Sequence, residues 1–155
     1  MTAYGSSTLP VLRRLLLALL ALGLVGTATE LLLLDHYEDS WQLVPLVLIL
    51  TALVAMGGLV LSPSSGTVRV FRGVMTVLIV AGAIGIVLHY RGNLEFQIDM
   101  DPNLSRWELF KKVIRAKAPP ALAPGVMAQL GLLGLVSTYR HPALERAGDS
   151  EEFES

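Results

Sequence analysis

Four apolar stretches, each close to the length of a membrane-crossing helix, occupy most of this chain of 155 residues. A helix needs about 20 apolar residues to cross a hydrocarbon layer roughly 30 Å thick. Charged side chains are nearly absent from the four stretches and are concentrated in the connections between them. The sequence therefore predicts an all-α integral membrane protein with a single domain of four transmembrane helices, over residues 15–34, 42–61, 73–89 and 121–139.

The composition supports a protein whose surroundings are the lipid bilayer. Hydrophobic residues make up 53% of the chain and the mean hydropathy is +0.59, which is more apolar surface than a soluble chain of this length buries in one core. The chain has no cysteine, which excludes disulfides, thiolate metal sites and thiol redox chemistry. Because no catalytic, nucleotide-binding or metal motif is visible, we expect no enzyme activity, no metal, no cofactor and no nucleic-acid partner.

The distribution of Arg and Lys predicts the orientation in the membrane. Arginine occurs before the first span, in the second connection and after the last span, whereas the first connection, residues 35–39, contains neither Arg nor Lys. The N-terminal segment 1–14 and the acidic tail 140–155 are therefore predicted to be cytoplasmic. The predominance of Arg over Lys and the abundance of Leu, Ala and Gly favour a bacterial inner membrane.

The outer connection, residues 90–120, is expected to hold a short extended segment. Residues 94–101 alternate apolar and polar side chains at period two, which is typical of a strand. The alternation places four apolar side chains on one face: Leu94, Phe96, Ile98 and Met100. Because a strand without a partner has open backbone donors and acceptors, this segment is predicted to lie on the membrane surface or to pair with another protein.

The second half of the outer connection is predicted to be an interfacial amphipathic helix. Ser105 and Glu108 have the spacing of a capping box at a helix start. Trp107 and Phe110 fall on an apolar face of this helix, whereas its cations lie mostly opposite, so the helix should lie in the membrane interface. The connection could be a structural cap over the helices or a docking surface that uses these aromatic residues and the strand; the sequence leaves both open.

Four polar residues in or near the spans are candidates for an intramembrane polar site. Glu30 lies about 8 Å from the centre of the first predicted span, where a carboxylate costs free energy unless it is protonated, hydrated or paired. It is predicted to point inward, with His89 or Arg91 as its candidate partner. Gln129, near the middle of the last span, is predicted to bond to a neighbouring helix.

These observations favour a non-enzymatic structural or accessory protein. It would assemble with itself or with another membrane protein through the outer connection and the small-residue faces of its helices. The first alternative is a small proton- or cation-coupled transporter or channel that uses Glu30. The second alternative is a haem-binding membrane electron carrier, for which His36 and His89, both at predicted outer ends of spans, would be the ligands.

Overall fold

A computed structural model describes residues 5–117 and 120–144 of the chain. Within these residues the chain is helical and has no strand, only one isolated bridge between Lys117 and Pro120. The helices are α1 (Gly5–Leu33), α2 (Leu43–Leu61), α3 (Ser65–Met100), α4 (Arg106–Ile114) and α5 (Gly125–Ser137). The end of the predicted acidic tail, residues 145–155, lies outside the described residues.

Three of the helices are long and apolar enough to cross a membrane: Thr8–Leu33, Leu43–Leu61 and Ser65–Met100. The fourth apolar helix, α5, has 13 residues, which corresponds to about 20 Å at the rise of an α-helix. In the most apolar 18-residue stretch of each long helix, only 11 to 22% is buried within the chain. This much exposed apolar surface needs lipid or protein to cover it, as in a multi-pass helical membrane protein.

The described residues form two compact units, one of residues 5–78 and 130–144, the other of residues 79–117 and 120–129. In the first unit, side chains from α1, α3 and α5 meet at close range. A Cβ added to Gly134 of α5 would collide with the side chain of Met75, and the side chain of Leu20 lies 3.4 Å from the same position. The buried side chains of this unit include Leu20, Leu24, Ile49, Ala52, Phe71, Met75 and Leu78.

The second unit depends on a close approach between α3 and the start of α5. A Cβ on Gly82 would lie 2.6 Å from the backbone nitrogen of Ala128 and 2.9 Å from the carbonyl oxygen of Pro124. A Cβ on Gly85 would lie 2.7 Å from the ring of Pro124. Gly82 therefore allows backbone to pack directly on backbone, and Gly85 makes room for the Pro124 ring, a close approach typical of helices that associate where the hydrophobic effect is absent. The small-residue face of α3 is used inside the chain.

The predicted strand over residues 94–101 is wrong, because α3 continues through it to Met100. The stretch from Leu94 to Met100 contains no Pro or Gly, and Leu, Glu, Gln and Met are strong helix formers. An existing helix extends at little cost until a residue stops it. The stop is Pro102, which disfavours helical backbone at the residue before it. Leu94, Phe96, Ile98 and Met100 therefore do not form one face.

The helix ends carry their own hydrogen-bonding groups. At the end of α1, Asp35 adopts a left-handed conformation with φ 52°. The Asp35 N–H donates to the carbonyl oxygen of Leu32, and the His36 N–H donates to the carbonyl oxygen of Leu31. These two bonds form a Schellman motif. At the start of α3, the Ser64 hydroxyl accepts from the Thr67 N–H at 3.1 Å and the Thr67 hydroxyl accepts from the Ser64 N–H at 2.9 Å. These contacts fix where the membrane helices begin and end.

Arg13 connects the first helix to the end of the last one. Its Nε donates to the carbonyl oxygen of Ser137 at 3.1 Å, and its Nη2 donates to those of Tyr139 and Arg140 at 3.3 and 3.4 Å. The carbonyls at a helix C-terminus lack partners within the helix and carry partial negative charge. The half-buried Arg13 satisfies them, whereas its neighbour Arg14 is exposed.

Replacing Gly82 with Ala should destabilise the protein by about 1–3 kcal/mol, because the new methyl group would overlap backbone atoms that cannot move independently. The matched control is Gly73→Ala, also in α3, where no atom lies within 4 Å of the added Cβ. There the better helix propensity of Ala should leave stability unchanged or raise it by up to about 1 kcal/mol. Thermal unfolding in detergent, followed by circular dichroism, compares the two. Equal effects of both substitutions would contradict the close approach.

Arg13→Gln should lower the unfolding midpoint, with a loss of about 1–2 kcal/mol from the charge-assisted bonds to the end of α5. Arg14→Gln removes the same charge from the same turn but no hydrogen bond of this kind, so it should change the midpoint little. The pair separates capping from any effect of charge on membrane orientation. The cap is refuted if Arg14→Gln costs as much as Arg13→Gln.

Candidate functional site

Glu30 lies near the end of a membrane helix and is exposed. It belongs to the last turn of α1 (Gly5–Leu33). It lies about 8 Å from the middle of the predicted span 15–34. Its side chain is exposed, whereas the sequence predicted that it points inward. A carboxylate at this depth that faces away from the rest of the chain is stabilised by protonation, by water or by a partner.

His89 is engaged with the backbone at the start of the last apolar segment. Its ring Nδ1 lies 3.0 Å from the carbonyl oxygen of Pro120. Because a carbonyl oxygen only accepts hydrogen bonds, Nδ1 must carry a proton. The ring is therefore either the neutral tautomer with its proton on Nδ1 or the doubly protonated imidazolium. His89 is half-buried and Arg91 is exposed. The contact ties α3 to the segment that leads into α5 and gives His89 a structural role.

Gln129 presents its amide on the exposed side of α5. It shares one face of the helix with Val126, Leu132 and Val136, whose side chains are 43, 54 and 59% exposed. Gln129 itself is exposed and forms no hydrogen bond within the part of the chain that the structure describes. The predicted bond to a neighbouring helix of the same chain is therefore absent from that part.

The depth of Gln129 follows from its neighbour Leu130. The side chain of Leu130 occupies the position that a Cβ on Gly23 would take, so Gly23 of α1 and Leu130 of α5 lie at the same height along the two helices. Gly23 lies about 2 Å from the middle of the predicted span 15–34. Gln129 is also about 12 Å from the end of α5 at Ser137, farther than its side chain reaches. An exposed amide thus sits close to the middle of the apolar region.

The aromatic residues predicted for partner binding lie together on α4. The rings of Trp107 and Phe110 are stacked, with centroids 5.6 Å apart and an interplanar angle of 18°. They are 65 and 42% exposed, whereas Val113 on the inner side is fully buried. The Lys111 ammonium lies 5.9 Å from the Trp107 ring centroid, within the range of a cation–π contact. The helix therefore packs through Val113 and presents its aromatic pair outward.

The start of α4 confirms the capping box predicted from Ser105 and Glu108. The Ser105 hydroxyl accepts from the Glu108 N–H, and the Glu108 carboxylate accepts from the Ser105 hydroxyl at 2.7 Å and from its N–H at 3.3 Å. These bonds to the charged form, first that from the hydroxyl, lower the pKa of Glu108 below its ordinary value of 4.5. Lys111 and Lys112 act in the same direction through their charge.

Two features of the site were not foreseen from the sequence. Arginine before the first span predicted a cytoplasmic N-terminal segment, but nothing near Arg13 along the chain reveals its bond to Ser137, 124 residues away. The cations of α4 line a cleft with Gln97 of α3. That cleft depends on α3 continuing past residue 94, which the alternating pattern concealed. The structure gathers no group of three or more His, Asp or Glu side chains fit for a metal within its described residues.

Comparisons of this chain with known protein families, with characterised proteins and with solved structures give no match.

Ser105→Ala should raise the pKa of Glu108 toward 4.5, because it removes the largest cause of the lowered value. Since the folded-state pKa is lowered, the stabilisation from the capping box is present above pH 4.5 and is lost as the pH falls through the lowered pKa. Carboxyl-carbon chemical shifts of glutamate-labelled protein in micelles measure the pKa. Lys112→Gln is the control, with a smaller upward shift expected. A larger shift from Lys112→Gln than from Ser105→Ala would overturn this assignment.

Proposed function

We propose that this chain is a small polytopic protein of the bacterial inner membrane with four spans and both termini in the cytoplasm. We further propose that it acts without catalysis, as a structural or accessory subunit that assembles with itself or with another membrane protein. The geometry of α5 supports the four spans, and the amide of Gln129 supports assembly.

The contact between Arg13 and Ser137 supports an even number of spans. It brings the N-terminal part of α1 and the C-terminal end of α5 to the same level. Helices α1, α2 and α3 account for three crossings. The chain must therefore cross once more to return to the level of Arg13, and α5 is the apolar segment that remains for this crossing.

The short length of α5 is compatible with a crossing because turns extend it at both ends. Residues 121–124 and 138–139 continue the helix with i to i+3 hydrogen bonds, such as those from Gly125 to Leu122 and from Tyr139 to Val136. At about 2 Å per residue these turns add roughly 12 Å to the 20 Å of α5. The segment 121–139 then reaches about 30 Å, the thickness of the hydrocarbon layer.

The cytoplasmic side is assigned by charge. Arg13, Arg14 and Arg140 lie at the end where α1 begins and α5 finishes, and Arg69 and Arg72 lie at the start of α3, on the same side if α1 and α2 both cross. Residues 35–39 on the other side contain no Arg or Lys, whereas the outer connection 90–120 on that side contains six and departs from the charge rule, which longer translocated segments obey less strictly. Short positively charged connections remain on the cytoplasmic side.

The unpaired amide of Gln129 carries the proposal of assembly. A primary amide in hydrocarbon without a hydrogen bond costs a few kcal/mol. Water is excluded from this depth, and the side chain is too short to reach either end of α5. A neighbouring protein helix is the remaining source of donors and acceptors. Because an amide both donates and accepts, two copies related by a two-fold axis can satisfy each other.

A structural role fits the polar groups of the spans better than transport does. His89 is bonded to a backbone carbonyl and Arg13 caps a helix. The Glu30 side chain is exposed and forms no hydrogen bond within the described residues. Gln129 lies near the middle of a predicted span, and its amide forms hydrogen bonds but does not ionise at physiological pH. The chemistry of this group suits association.

Gln129→Leu should weaken assembly, measured by native mass spectrometry of the protein purified in mild detergent from its native membrane. The expected loss is roughly fivefold in the association constant, the value of one intramembrane hydrogen bond. Gln129→Asn, which keeps an amide, should retain part of the association.

Thr51→Leu is the matched control for this experiment. Thr51 is also an exposed polar residue in a span, but its hydroxyl is already bonded to the carbonyl of Val47 in its own helix at 2.8 Å. This substitution should leave assembly unchanged. The proposal fails if the wild-type protein is monomeric and free of partners, or if Gln129→Leu and Thr51→Leu behave alike.

A further inference from the structure

A shallow cleft between α4 and the last turns of α3 collects positive charge. It has a volume of about 440 Å³ and is lined by Gln97, Glu108, Lys111, Lys112, Arg115 and Ala116. Glu108, Lys112 and Arg115, the residue that directly follows α4, are spaced three or four residues apart and so lie on one side of the helix. Lys111, next to Lys112 in the chain, lines the cleft from the edge of that side. The lining thus holds three cations and one carboxylate.

The carboxylate neutralises the charge of the cleft only in part. Glu108 is bonded through its Oε2 to the hydroxyl and N–H of Ser105, and one carboxylate faces three cations. Lys112 and Arg115 are exposed and have no ion pair within the described part of the chain. Lys111 lies over the Trp107 ring. Two exposed cations one helical turn apart favour an anion with several oxygens, since an Arg fork binds two oxygens of a phosphate and a Lys binds as a point charge.

The position of the cleft along α3 matches the headgroup layer. From Arg72 to Arg91, the charged residues that flank the apolar part of α3, the helix rises about 29 Å, nearly the thickness of the hydrocarbon layer. Gln97 lies about 9 Å beyond Arg91. The headgroup layer on each side is roughly 5–8 Å thick. Long Lys and Arg side chains beside Gln97 therefore reach the level of lipid phosphates.

The exposed aromatic pair of α4 lies on the side away from Lys112 and gives the helix a second contact with lipid. Trp107, Phe110 and Ile114 are 65, 42 and 36% exposed and lie on the side of α4 away from Lys112. An amphipathic helix with aromatic residues on one side and cations on the other lies in the interface, with the rings among acyl chains and the cations at the headgroups. The arrangement thus orients the cleft toward lipid rather than open water.

We propose that this cleft binds the phosphate group of an anionic phospholipid through Lys112 and Arg115, with Lys111 and Gln97 completing its wall. The shared chemistry is that of a phosphate, which a free phosphate ion also offers. The apolar flank of α4 favours the lipid, because it adds acyl-chain contacts that an ion in solution does not make.

The test uses the full chain in detergent and native mass spectrometry with phosphatidylglycerol or phosphatidylcholine of equal acyl chains. Wild type should bind phosphatidylglycerol more tightly than phosphatidylcholine. K112Q/R115Q should reduce the affinity for phosphatidylglycerol by roughly tenfold or more and leave that for phosphatidylcholine unchanged. The control R106Q/K117Q removes the same net charge from the same connection, outside the cleft, and should cost less than threefold. Circular dichroism verifies that both variants remain folded.

Competition with inorganic phosphate separates the two sources of the anion. Phosphatidylglycerol should remain bound in an equal concentration of inorganic phosphate. Displacement of the lipid at that ratio would overturn the lipid assignment in favour of a free anion. Equal losses in the two double variants, or no preference for phosphatidylglycerol in the wild type, would show that no specific site exists.

Discussion

Every backbone amide and carbonyl group of a chain in hydrocarbon must be hydrogen-bonded within the protein, and this requirement organises the whole structure. It excludes an unpaired strand at membrane depth and makes the ends of each helix the places where bonds must be supplied. The chain supplies them locally at Asp35, at Ser64 with Thr67 and at Ser105 with Glu108. It supplies them from afar at the end of α5, where Arg13 donates to the last carbonyls. That contact also relates the first membrane helix to the last, so a capping interaction becomes the basis of the topology.

The parts of the fold that could be predicted from sequence are those set by local chemistry. The long apolar run of α2 and the capping box of α4 follow from composition and from a four-residue pattern. The segment 94–101 could not be predicted correctly, because alternating side chains satisfy a strand pattern while a helix already formed up to residue 93 extends through them until Pro102. The absence of a helix-breaking residue before Pro102 determines the structure of this segment, not the alternation of apolar and polar side chains.

The depth of a polar residue along its helix and the direction of its side chain are separate quantities, and Glu30 shows the difference. It lies about 8 Å from the middle of the predicted span 15–34, but its side chain is exposed rather than directed inward. Gln129 has a central depth because Leu130 packs at the level of Gly23. Its exposure follows from which side of α5 packs inward, and that side carries the small residues Gly131 and Gly134, both of which are buried.

The amide of Gln129 and the basic cleft of α4 act at different depths and through different physics, which makes their roles separable. An intramembrane hydrogen bond is insensitive to ionic strength because no ions enter the hydrocarbon, whereas attraction of Lys112 and Arg115 to lipid phosphate is screened by salt within about 10 Å. Salt that releases anionic lipid from α4 should therefore leave contacts at Gln129 intact. If assembly also weakened with salt, lipid bound at the cleft would have to bridge the subunits, and the outer connection would contribute to the interface through lipid rather than through its own side chains.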